Sequence, residues 1–269
     1  MMLWHVARFE WRFQRKSPIA WVGFVLFFLL AFGSIVSDGI QIGGSSNVHK
    51  NAPYAIAQTT AVLGIFFLFI SVAMIAGVIV RDEETRFAPL LRSTSLGRFD
   101  YLVGRFVGAT GMAFVVLASV PLAIALASFT PWVDSERLGP QRLVYYAYAL
   151  FVLGLPTLLV VGATFFALAT ATRSMMACYV GAVALLVLYI ASRGLLREPA
   201  YDTWSALSDP FGLSALAVTT KYWTVADKNS LVPPMHGLLL ANRVLWLAIA
   251  ALSFAGTLVF FRFEAKAEK

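Results

Sequence analysis

Six long apolar runs, at residues 18–36, 55–80, 106–130, 148–170, 175–192 and 243–261, constrain this 269-residue chain more than any other feature. Each is close to or above the roughly 20 residues that a helix rising about 1.5 Å per residue needs to cross the hydrocarbon of a bilayer. A soluble helix of that length keeps a polar face, and these runs have almost none. The balance of residue types agrees, with 59% hydrophobic and 13% charged, against roughly half and a quarter in soluble domains. The expected fold is an all-α integral membrane protein with six transmembrane helices. Too few residues remain between the runs for a separate large catalytic domain.

Six spans put both termini on one side. That side, taken as residues 1–17, 81–105, 171–174 and 262–269, holds 13 Lys and Arg in 54 residues, whereas 37–54, 131–147 and 193–242 hold 7 in 85. Lysine and arginine concentrate in short cytoplasmic segments, so the termini are expected in the cytoplasm. The formal charge of +7 then needs only topology and anionic headgroups to explain it, and no nucleic acid. Trp21, Trp132, Tyr145, Tyr146, Tyr148 and Trp246 lie near span ends, at the level amphipathic rings prefer. The lone Cys178 excludes an intrachain disulfide.

Before the first run, residues 1–17 read as an interfacial amphipathic helix. Arg8, Arg12 and Arg15 share a basic stripe with His5 and Lys16. Leu3, Trp4, Ala7 and Trp11 share an apolar one, blurred by Glu10 and Gln14. Ser17 and Pro18 suit the cap and first position of the span that follows. In the third span Gly104, Gly108 and Gly111 form a small-residue ridge, so a helix is expected to approach closely there, and leucine at these positions to cost more than leucine at Ala127. Pro121, and Gly154 with Pro156, predict kinks in the third and fourth spans, tolerated because neighbouring helices re-satisfy the freed carbonyls. Short helices at the interface are expected within 193–242, and solvated turns within 37–54, including an exposed His49.

No run contains Asp, Glu, Lys or His, and Arg243 sits at the edge of the sixth. A carrier that relays protons through the bilayer lacks its usual groups. H-E-x-x-H, G-x-S-x-G and G-x-x-x-x-G-K-S/T are all missing, and His5, His49 and His236 make no metal-ligand pattern. The chain is not expected to be an enzyme, nor to bind a metal or cofactor.

Segment 81–105 carries apolar residues at helical spacing among charges. Phe87, Leu90 and Leu91 are flanked by Glu83, Glu84, Thr85, Arg92 and Ser93, with Gly97 expected to end a short helix. Asp82-Glu83-Glu84-Thr85, Leu90-Leu91-Arg92-Ser93-Thr94 and Tyr101-Leu102-Val103-Gly104-Arg105-Phe106, in a chain of six runs, resemble the type-2 permeases of ATP-binding cassette exporters. Arg86 stands where that family commonly has glycine. Asn47-Val48-His49-Lys50-Asn51-Ala52-Pro53-Tyr54, Ser208-Asp209-Pro210-Phe211-Gly212 and Asn242-Arg243-Val244-Leu245-Trp246 look more narrowly like the permease half of proteins that fuse such a domain to a gluzincin aminopeptidase. This sequence stops at Lys269, before any second membrane half or peptidase, and is expected to be a stand-alone permease or a fragment without peptidase activity. The resemblance implies a cytoplasmic coupling helix within 81–105 and a P-loop ATPase subunit that holds ATP and Mg. It also implies a second permease copy or paralogue and a place in the bacterial cytoplasmic membrane. A lone secondary transporter or channel and a non-transporting scaffold are the rival readings.

Overall fold

The computed structural model describes residues 2–37, 39, 42, 47–85 and 97–261. Every regular element among them is helical. Helix α1 (Met2–Gln14) precedes α2 (Pro18–Val36), the first span. The second is α3 (Pro53–Ile75), continued after a turn at Ala76 by α4 (Gly77–Glu84). The third is α5 (Arg98–Ala127). The fourth combines α6 (Leu143–Tyr148), a π-helical turn (Ala149–Gly154) and α7 (Leu155–Thr172), and the fifth is α8 (Met175–Leu195). Between α8 and the sixth span lie the short helices α9 (Asp202–Ser208), α10 (Leu213–Thr219) and α11 (Val225–Ser230); α12 (Gly237–Phe260) completes the six. All six are long and apolar enough to cross a membrane. The chain is an all-α integral membrane protein.

The helices outrun the apolar stretches. The third starts at Arg98 rather than 106, the fourth at Leu143 rather than 148 and the sixth at Gly237 rather than 243, because apolar runs mark the hydrocarbon and a helix continues past it. Gly97 is the N-cap of α5; the short helix expected before it lies outside the described residues. Ser17 and Pro18 do open α2, but the Ser17 side chain makes no capping bond.

Helix α3 is the centre of the bundle, with α2, α5, α7 and α8 packed around it. Its sequence is apolar on every side, as a helix without a solvent face must be. Ile56, Leu63, Phe67, Leu68 and Val72 are buried there, and Phe67 meets the edge of Phe27 from α2. Arg173, with φ 53°, and Ser174, whose side chain accepts from Ala177 N–H, turn α7 tightly into α8. The π turn precedes Pro156, where Leu155 N–H reaches back to the Leu150 carbonyl. A proline ring clashes with the carbonyl four residues earlier in a regular helix, and the widened turn relieves that clash. Cys178 is buried.

On the face away from the termini the connections are pinned to one another. Asn51 and Gly139 exchange two hydrogen bonds, Nδ2 to the Gly139 carbonyl (2.9 Å) and Gly139 N–H to Oδ1 (2.7 Å). Lys50 N–H donates to the Arg137 carbonyl and His49 N–H to Asn229 Oδ1. His49 is half-buried against Gly139 rather than solvated, because this lattice of loops closes over it.

Candidate functional site at the face carrying the termini

Helix α1 is built on alternating basic and aromatic residues with one acid, Glu10, and that acid is its structural centre. Glu10 is fully buried. Its Oε2 accepts from Arg81 Nη2 (2.7 Å) and Arg105 Nη1 (2.5 Å), and its Oε1 accepts from Gln14 Nε2 (2.9 Å). Arg105 turns its other nitrogen to Asp82, at 2.9 Å from Oδ1 and 2.7 Å from Oδ2, and the Tyr101 hydroxyl donates to Asp82 Oδ2 at 2.7 Å. Two carboxylates and two guanidinium groups thus join α1, the end of the second span and the start of the third. Charges removed from water are tolerable only when each is paired and hydrogen-bonded in this way. The buried Arg105 Nε has no acceptor among the described residues.

Aromatic faces close the cluster from α1. The Arg81 guanidinium lies 3.9 Å from the centroid of Phe13, and that of Arg105 lies 5.2 Å from Phe9, within the range of cation–π attraction. Tyr101 also stacks with Phe261 at the end of α12. Gln14 Nε2 donates to the Met74 carbonyl at 2.9 Å, two residues before the turn that separates α3 from α4. A side chain that enters the carbonyl ladder is a recognised cause of such an interruption.

The glycine ridge faces α1. A Cβ at Gly104 would stand 2.7 Å from Val6 Cβ, one at Gly108 would stand 2.5 Å from the Ala7 carbonyl oxygen, and one at Gly111 would stand 2.9 Å from the Trp11 ring. The partner brought close is therefore the N-terminal helix and not another span. Ala127 is fully buried, so it is no lipid-facing reference for these positions; the more exposed Val107 is. The buried face of α1 is also displaced from the stripe expected. Ala7, Glu10 and Gln14 are buried and Trp11 partly so, whereas Trp4 is 70% exposed and Phe9 and Phe13 are open at the side. Arg8, Arg12 and Arg15 are exposed. The Arg15 carbonyl accepts from Trp21 Nε1.

Of the residues expected to meet a partner, Glu83 lies in α4, Glu84 is exposed at its end, and the exposed Thr85 bonds back to the Arg81 carbonyl. Phe87, Leu90, Leu91, Arg92 and Ser93 lie outside the described residues. The cluster stands at both ends of that segment: Arg81 and Asp82 precede it, and Tyr101 and Arg105 follow it.

A second polar cluster occupies the opposite face. Arg243 lies within α12, two turns from its start, and not at its edge; it is 1% exposed. Its Nε and Nη2 donate to Asn242 Oδ1 (2.8 and 2.5 Å), and its Nη1 to Thr157 Oγ1 (3.3 Å). Asn242 Nδ2 donates to the carbonyls of Ala206 and Asp209, while Asp209 accepts the N–H groups of Phe211 and Ser214. Gly212, with φ 77°, lets the chain turn against the Arg243 guanidinium, where a Cβ would collide. Trp246 Nε1 reaches the Leu207 carbonyl. The Ser208–Gly212 and Asn242–Trp246 segments singled out in the sequence therefore make one unit. Sequence reasoning passed over Glu10, Gln14 and Arg105 as members of a site; the available signal was a single acid in an otherwise basic N-terminal segment.

Among the described residues no group of His, Cys, Asp and Glu is arranged to hold a metal ion. No protein-family model matches the chain, and no curated protein matches it. The six apolar helices fit a membrane protein of the transporter type.

Proposed function

We propose that this chain is the membrane subunit of an ATP-driven exporter, working as a pair with a second copy or a paralogue and powered by a separate P-loop ATPase subunit. The observation that supports it is the buried four-charge cluster. A motor outside the membrane needs a stiff lever, since a loose connector absorbs movement instead of transmitting it. Glu10, Arg81, Asp82 and Arg105 tie the second and third spans to α1 on either side of residues 86–96. In this reading the coupling helix lies within 81–105, seated in the ATPase by Leu90 and Leu91 with Glu83, Glu84 and Arg92 around them. The ATP and Mg belong to the partner, the membrane is the bacterial cytoplasmic membrane with both termini inside, and the cargo is lipid-like or amphipathic, in keeping with the apolar spans.

The test is the double substitution Leu90→Asp/Leu91→Asp in the chain co-expressed with a P-loop ATPase subunit. Membrane insertion should be unchanged, because no span is altered, while co-purification of the ATPase and its stimulated ATP turnover should collapse, since charges enter a desolvated contact. Unchanged binding and turnover would sink the coupling assignment. A lone carrier is the weaker reading because the buried ionisable groups are gathered at the two ends of the bundle, with the apolar core between them.

A further inference from the structure

On the face away from the termini, a cavity of about 630 Å³ opens where α8 ends and α9 and α10 pack beside it. Its walls divide by chemistry. Ile190, Leu196, Ala217 and Val218 are apolar, while Arg193, Arg197 and Lys221 set three cations against one carboxylate, Asp202. Lys221 Nζ is already bonded to Asp202 at 2.6 Å, so those two charges answer each other. Among the described residues the Arg193 guanidinium has no carboxylate partner; it donates to the Tyr189 hydroxyl (3.0 Å) and lies over that ring. Arg197 is exposed and has no carboxylate partner among the described residues. Two guanidinium groups are left to set the sign of the cavity.

Ser214 lines the same cavity. Its residue is 3% exposed, and its Oγ has no hydrogen-bond partner among the described residues. Buried hydroxyls almost always have one, so the position asks for an acceptor from outside the chain. The apolar wall points to the source of that acceptor. Ile190 belongs both to the cavity and to an open apolar strip on α8 with Val183 and Val187, a surface that faces acyl chains in a bilayer. Tyr201, Trp204 and Tyr222 are exposed on the neighbouring elements, where aromatic rings mark headgroup depth.

We infer that this cavity binds the phosphate headgroup of an anionic phospholipid from the leaflet on that face, with Arg193 and Arg197 on the phosphate oxygens, Ser214 donating to them, and the chain running out along Ile190. Guanidinium groups match phosphate geometry with paired N–H donors. The inference does not depend on the coupling to an ATPase.

The experiment titrates the purified full chain in neutral detergent with dimyristoyl phosphatidylglycerol, dimyristoyl phosphatidylcholine and inorganic phosphate, reading bound ligand by native mass spectrometry. Phosphatidylglycerol should bind more tightly than either other probe. Arg193→Gln with Arg197→Gln should raise its Kd roughly tenfold, Ser214→Ala should raise it less, and Arg142→Gln, which alters an exposed arginine on the same face, should leave it unchanged. Should the double variant fold poorly, Arg197→Gln alone serves, since it breaks no described bond, and roughly a threefold loss is expected. The inference is overturned if phosphatidylcholine or inorganic phosphate binds as well as phosphatidylglycerol, or if the arginine variants bind it as wild type does.

Discussion

The two buried polar clusters solve the problem of a desolvated charge in opposite ways. At the face carrying the termini, Glu10, Asp82, Arg81 and Arg105 neutralise one another as ions, and they come from segments 71 and 95 residues apart in the chain. At the opposite face, Arg243 is surrounded by the neutral dipoles of Asn242 and Thr157, while the oxygens of the nearby Asp209 are occupied by backbone N–H groups. The first arrangement fastens separate helices together; the second fixes the shape of one local turn. Ion pairs reach across a structure because attraction between full charges is strong where water is absent, whereas dipoles work only at the range of a hydrogen bond.

The sharpest way to break this comparison is to remove one cation from each side. Arg105→Met leaves Glu10 and Asp82 with too little compensation and should cost about 3–5 kcal/mol, the usual penalty for breaking a buried pair. Arg243→Met removes a charge whose described hydrogen bonds go to Asn242 and Thr157 rather than to a carboxylate, and should cost about 1–3 kcal/mol, that of unmet hydrogen bonds. Thermal unfolding of both variants in one detergent decides it; equal losses would erase the distinction. A double-mutant cycle sharpens it further. Glu10→Gln with Arg105→Met should show about 1–3 kcal/mol of coupling, and Asp209→Asn with Arg243→Met a smaller value, since Asn242 stands between the two.

A smaller effect tests the seat of α1. Gly108→Leu should destabilise by about 1–3 kcal/mol through overpacking against Ala7 and Glu10, whereas Val107→Leu, on the more exposed neighbour, should change the folded yield little. Equal yields would show that α1 does not rest on the ridge. The smallest effect belongs to the loops of the opposite face. Asp227 accepts from the Thr224 hydroxyl and N–H, and these bonds hold its carboxyl below the usual value. A lowered carboxyl stabilises the fold above its unfolded value, near about 3.9, and that contribution vanishes as pH falls through the folded one. Amide protection in Val225–Ser230 should therefore be full near neutrality and fade below pH of about 4, and Asp227→Asn should flatten that dependence.

Much of this was legible in the residues. Six runs gave six spans, and the mixed composition of 193–242 gave short helices, because burial in lipid leaves no freedom for polar faces. The boundaries were less legible, since Arg98 and Gly237 belong to helix that extends past the hydrocarbon. The first cluster was nearly invisible: Glu10 reads as a flaw in an amphipathic stripe until its partners, two spans away, are placed beside it. Asp209 and Arg243 stood out as motifs, yet nothing in their spacing said that Asn242 would stand between them.

The position of Glu10 also sets an order on biosynthesis. It is made before Arg81 and Arg105, which follow only after the second span has been synthesised and the third begun. Until then Gln14 is its only partner among those described, and α1 has no glycine ridge to rest on. Helix α1 is thus synthesised before the surface it rests on, and it can dock only once the second and third spans stand side by side.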